Sequence, residues 1–270
     1  MRTFRKQPLL IFQMGKVGSS TVTSSLQNSS INMPIFQFHL LSNSAIHFDE
    51  NMYWGTQWGP NFNFFRKSLL PATKHLYYSY YFRWLINMGR PNPRNKWKIV
   101  TLLREPVARN ISGFFEGITF FIPDFFARIE SGLIEIDELK RCFLQNYWHQ
   151  VPLTWFDREL NMMLGVDVYS EPFPKSKGYY IFREEAVDVL VIRLENLSEC
   201  YHEAFREFLG LEIKLEKANR AEMKTYASYY REFIKSVILP DEYLDWMYCS
   251  KYSLHFYSQD ELRNFRQRWS

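Results

Sequence analysis

The chain has no CxxC pair and no histidine-rich stretch, and its three cysteines, Cys142, Cys200 and Cys249, are odd in number and far apart. That pattern excludes a disulfide framework and a zinc-finger reading, and it leads us to expect reduced thiols in a cytosolic (cytoplasmic) protein with no metal site. A dense Lys/Arg run is also missing. The formal net charge of +4 and pI near 8.8 suit an anionic ligand and are far too mild for a nucleic-acid binder. Long hydrophobic runs are missing too. The basic start MRTFRKQPLL is followed only by the short apolar run PLLIF, too short for a signal sequence or a transmembrane segment. There is no internal repeat.

What is present is enough apolar residue for a core: 46% of 270 residues, which fits one domain over 1–270, with its oligomeric state open. Aromatics reach 18%, and they can fill a core or subunit interface or line a groove that stacks on sugars or bases. The run PLLIFQM, bounded by proline and by GKVG, reads as a buried strand entering a glycine loop, and SSTVTSSLQ carries hydroxyl caps and a Val22/Leu26 pair at helical spacing. MPIFQFHLL reads as a second strand, KWKIVTLL as a third before a helix opened by Pro106, and DVLVIRLENL as a fourth before the helix SECYHEAFREFLGL. Strands alternating with helices predict an α/β fold, a mostly parallel sheet flanked by helices. A helical insertion is expected over about 118–164 and a helical C-terminal segment over about 220–270, ending with a Ser258/Glu261 capping box; 89–96 reads as a turn.

The loop IFQMGKVGSST is the chemical centre of the sequence. A nucleotide loop of the common ATPase type needs its lysine after the second glycine, with a hydroxyl next to it for magnesium. Here Lys16 precedes Gly18, and neither KIVTLLREP nor DVLVIRLENL ends in an aspartate that could complete a magnesium site. An anion site is still expected. Gly15 and Gly18 let the backbone turn and present N–H groups, Ser19, Ser20 and Thr21 add hydroxyls at a helix start, and Lys16 adds a cation. In LREPVARNISGFF, Arg104 closes a strand and Ser112 lies two turns into the next helix, so the pair can converge on a second phosphate at the carboxyl edge of the sheet. Arg109 either assists or forms a surface ion pair.

The pair QMGKVGSST and REPVARNISGFF resembles the two signature segments of sulfotransferases that use 3'-phosphoadenylyl sulfate (PAPS). The segments WFDREL, GVDVY, VLVIRLENL and LHFYSQDEL are similar to carbohydrate-type members of that family, particularly bacterial capsular polysaccharide synthesis proteins. The resemblance implies a P-loop-like sulfotransferase fold and PAPS as cosubstrate, with 3',5'-bisphosphoadenosine (PAP) as product and no metal. It implies Gly15, Lys16, Val17, Gly18, Ser19, Ser20 and Thr21 on the 5' side, and Arg104 and Ser112 on the 3'-phosphate. Lys251 joins the same phosphate if its segment folds back over the cofactor. The acceptor it implies is a hydroxyl of a saccharide or glycan. The loop departs from the family in having Gly15 where many relatives have proline, and the histidine segment that often precedes the third strand is not evident.

In-line sulfuryl transfer needs a cation for the leaving oxygen, assigned to Lys16, and a general base. His39, at the end of the second strand, leads for the base, with His75 and Glu116 as alternatives. His149 reads as an acceptor-pocket or structural residue, and Trp155, Asp157 and Glu159 as caps at a helix start or as acceptor contacts. Two other classes stay open: a P-loop kinase or nucleotide hydrolase, and a catalytically inactive PAP-binding module.

Overall fold

A computed structural model describes residues 7–43, 62–216 and 225–270, with 62–73 described in backbone only. Along the chain, β1 (Leu9–Phe12) is followed by α1 (Ser19–Gln27), β2 (Ile35–Phe38), the long α2 (Phe62–Asn87) and β3 (Trp97–Leu103). Then come α3 (Pro106–Glu116), α4 (Ile118–Phe121), α5 (Phe125–Glu130), α6 (Ile136–Asn146) and α7 (Val151–Trp155). A π-helical turn, Phe156–Asn161, carries α7 into the short α8 (Met162–Leu164). The chain continues through β4 (Tyr179–Arg183), β5 (Val187–Arg193) and α9 (Leu197–Leu209), and ends in α10 (Ala227–Ser236), α11 (Asp241–Tyr248), α12 (Lys251–Phe256) and α13 (Gln259–Trp269).

These elements form two compact units. The first is Met1–Arg104 with Thr154–Ala218, and the second is Glu105–Leu153 with Asn219–Ser270. A five-stranded sheet ordered β2-β1-β3-β5-β4 builds the first unit, parallel except for β4, which returns antiparallel on β5. The parallel strands read as apolar runs because both faces are covered: all four residues of β1 and all seven of β5 are buried. Part of the aromatic excess goes into this core, where Phe12 stacks on Phe38 at 4.9 Å, Phe38 on Phe82 at 5.1 Å, and Trp155 closes on Phe12 at 4.9 Å. Tyr77, Tyr80 and Trp84 of α2 face outward.

The second unit is helical. Pro106 opens α3 as expected, and the buried Glu105 caps it by accepting from the N–H groups of Val107 and Ala108, both at 2.7 Å. Phe114 packs on Phe143 at 5.5 Å, and the Ser258/Glu261 capping box starts α13 as its sequence predicts. The expected fold class is therefore observed, with two differences in detail. Strand β4 is additional, and Trp155, Asp157 and Glu159 lie at the end of α7 and in its π-helical continuation rather than at a helix start. Among the described residues no helix is long and apolar enough to cross a membrane.

Candidate functional site

In the first unit, β1 has β2 on one side and β3 on the other, so the connections leaving β1 and β3 run in opposite directions across the sheet. The crevice at their carboxyl ends is where an open α/β sheet takes its ligands. The loop between β1 and α1 fills that position, and its backbone is unusual. Lys16 has φ 72° and Gly18 φ 91°. A left-handed non-glycine residue costs about 1 kcal/mol or more, and a conformation of this kind turns successive N–H groups into one concavity. Gly18 cannot be replaced without strain, because φ 91° disfavours any L side chain, and a Cβ there would also have to displace Leu194 Cδ1, 2.6 Å away. At Gly15 a Cβ would meet no described atom within 4 Å, so protein packing does not demand that glycine.

Helix α1 begins at Ser19 with no side-chain cap, leaving its first N–H groups and the half-buried Ser19, Ser20 and Thr21 at the loop. Val17 is fully buried and anchors the turn in the core, so only its backbone is placed to meet a ligand. Arg104, just past β3, donates from Nη1 to the Lys16 carbonyl at 3.3 Å. Arg104, the first residue of the second motif, therefore meets the glycine loop within this unit. Backbone N–H groups, three hydroxyls, an ammonium and a guanidinium make a donor set that fits the phosphates of a nucleotide.

Beside the loop, Gln13 is fully buried, and neither amide atom of its side chain has a hydrogen-bond partner. Its carbonyl accepts from His39 Nδ1 at 2.8 Å, and His39 stacks on His75 of α2 with ring centroids 4.8 Å apart. His75 Nδ1 donates in turn to the Gln37 carbonyl at 2.8 Å. Both rings thus carry a proton on Nδ1, and in the neutral form their lone pair is on Nε2. Burial holds His75 below the usual histidine pKa, with the neighbouring Lys74 charge acting the same way. Two base candidates separated by 36 positions in the sequence form one pair.

The remaining candidates are placed as follows. Ser112 is half-buried on α3, and Lys251 is exposed at the start of α12. Glu116 is exposed and accepts from Tyr226 Oη at 2.9 Å. Arg109 is not a surface ion-pair residue. It is 7% exposed and donates to Tyr147 Oη at 3.0 Å and Asn110 Oδ1 at 3.1 Å.

His149 takes the structural of its two readings. It is buried, with Nε2 donating to the Phe143 carbonyl at 2.8 Å and Nδ1 accepting from Tyr243 Oη at 2.9 Å. Burial lowers its pKa from 6.5 to about 4. Because the folded pKa lies below the unfolded one, its contribution is complete above 6.5 and is lost as pH falls toward about 4. We expect stability to fall by about 2 kcal/mol between about pH 7.5 and about pH 5 from this group alone. Urea melts of the wild type and His149→Asn at both pH values check it: the pH step should shrink by that amount in the variant, and an equal step in both would contradict it.

Glu159 corrects the expectation of a cap at a helix start. It is 1% exposed, and its carboxylate accepts from Leu41 N at 2.5 Å, Ser42 N at 3.0 Å and Ser42 Oγ at 2.5 Å. Trp155 Nε1 donates to the His39 carbonyl at 2.9 Å, while Asp157 is half-buried between them in sequence. Sequence reasoning passed over Gln13 and Arg83; the only signal for Gln13 was a polar residue directly after an apolar strand. Among the described residues no three His, Cys, Asp or Glu side chains gather where a metal ion could be held.

Residues 133–258 match the family model described as "Putative capsular polysaccharide synthesis protein". The matched stretch includes Trp155, Glu159 and Lys251, and it begins after the glycine loop and Arg104. No curated protein and no solved structure matches the chain.

Proposed function

We propose that the protein is a sulfotransferase that takes PAPS as donor and a hydroxyl of a saccharide or glycan as acceptor. The observation that carries this reading is the left-handed Lys16 between Gly15 and Gly18, with Arg104 bonded to its carbonyl at the carboxyl edge of β1 and β3. A loop strained in that way, lined by donors and placed before an uncapped helix, suits a phosphate better than a simple turn. The capsular polysaccharide family match over 133–258 supports a sugar acceptor.

Bound PAPS supplies an activated sulfuryl group whose leaving oxygen belongs to the 5'-phosphate. The N–H groups of the loop and of the α1 start, with the hydroxyls of Ser19, Ser20 and Thr21, bind that phosphate, and Arg104 binds the 3'-phosphate. Lys16 offsets the negative charge on the leaving oxygen. His39, held as the Nδ1–H tautomer by the Gln13 carbonyl, accepts the acceptor's proton at Nε2. His75, stacked against it, keeps the ring in place.

Calorimetric titration with PAP, and with ATP plus magnesium for comparison, tests the cofactor class. Tight binding of PAP and weak binding of ATP are expected, and the reverse would favour a kinase. His39→Ala is expected to leave PAP affinity unchanged and to lower transfer by about 100-fold, the lower range for losing a general base. A near-normal rate in that variant would move the base to His75.

A further inference from the structure

We infer that Glu159 is a positioning residue for the proton acceptor: from its buried π-helical turn it fixes the backbone after β2, so that the His39 ring stands against His75 with Nε2 as its basic atom. The catalytic meaning of this assignment rests on the sulfotransferase reading; the geometry does not.

The chain leaves the sheet after Phe38, so the N–H groups of Leu41 and Ser42 lie beyond the ladder and need other acceptors. Glu159 takes both on one carboxylate oxygen and the Ser42 hydroxyl on the other. A buried anion is costly unless it is hydrogen-bonded in this way, and only a carboxylate accepts three donors without adding one of its own. Four residues earlier, Trp155 holds the His39 carbonyl, and from α2 Arg83 Nη1 holds the Leu41 carbonyl at 2.7 Å. The bonds to His39 itself orient one residue; those of Glu159 and Arg83 stop the following turn from rotating it away. The widened helix at Phe156–Asn161 is a feature often found at functional sites, and here it sets Glu159 under the same loop that Trp155 touches.

Glu159→Gln tests the assignment, because its amide would point an N–H donor at backbone donors. We expect kcat to fall about 10- to 100-fold, as for a misplaced catalytic group, with KM for PAPS within about twofold. The side-chain 15N signals of His39 should change from a fixed Nδ1–H tautomer to an exchanging mixture. Ser42→Ala removes one of the three donors and should shift both readouts in the same direction by less. Should Glu159→Gln fail to fold, Ser42→Ala decides. Wild-type kcat with an unchanged His39 tautomer in a folded variant would overturn the inference, and so would a loss of PAP affinity without any change at His39. If the wild type transfers no sulfuryl group, the sulfotransferase reading falls, and the 15N signals alone decide the positioning role.

Discussion

Lys16→Ala is expected to lower sulfuryl transfer by at least about 1000-fold, the scale on which removing a preorganised charge from a transition state acts. The ammonium is carried by the glycine loop itself, and no magnesium-binding aspartate follows either KIVTLL or DVLVIR to replace it. Two further variants separate charge from conformation. Lys16→Met keeps the aliphatic stem and the left-handed strain, and it should be as inactive as the alanine variant. Lys16→Gly relieves a strain of about 1 kcal/mol at φ 72° and should fold at least as stably, again without activity. Turnover assays with thermal melts check all three; an active Lys16→Gly would mean that the loop's shape, not its charge, does the chemistry.

Arg104→Ala is expected to weaken PAP binding by about 2 to 4 kcal/mol, as breaking a desolvated charged pair does. Part of that loss belongs to the loop, because Arg104 also donates to the Lys16 carbonyl. Arg104→Lys keeps the charge but not the planar fork, so it should recover only part of the affinity. Calorimetry at low and high salt distinguishes the contributions. The charge term should shrink with salt in the wild type and be absent in the alanine variant. Unchanged PAP affinity in Arg104→Ala would remove the 3'-phosphate assignment.

Elements whose signal is local were legible in the sequence. LLIF, WKIVTLL and VDVLVIR are apolar runs because their strands are covered on both faces, and the glycine loop and the Ser258 cap are set by residues within a few positions of each other. β4 was not, since an edge strand with the burial of Tyr179–Arg183 shows neither a run nor a clean alternation. The burial of Glu159 was not legible, because an acid near a turn is usually exposed and its partners, Leu41 and Ser42, lie 117 or more positions away. A shorter separation, between β2 and α2, likewise hid the pairing of His39 with His75, although each was a candidate on its own. Lys16 was legible as a cation, but its left-handed backbone was not, because lysine carries no sequence signal for that conformation.

The order of the strands has a consequence for synthesis on the ribosome. β3 is complete at Leu103, but its second neighbour, β5, begins at Val187, and the Leu194 side chain that backs Gly18 comes later still. At about 5 to 20 residues per second, the nascent chain waits on the order of ten seconds between the two. During that interval one edge of β3 is an open hydrogen-bonding template with an apolar face, the kind of surface on which growing chains associate. The glycine loop, translated well before Leu194, is therefore locked only after β5 is made, and expression at reduced temperature or with chaperone support should raise the yield of folded protein.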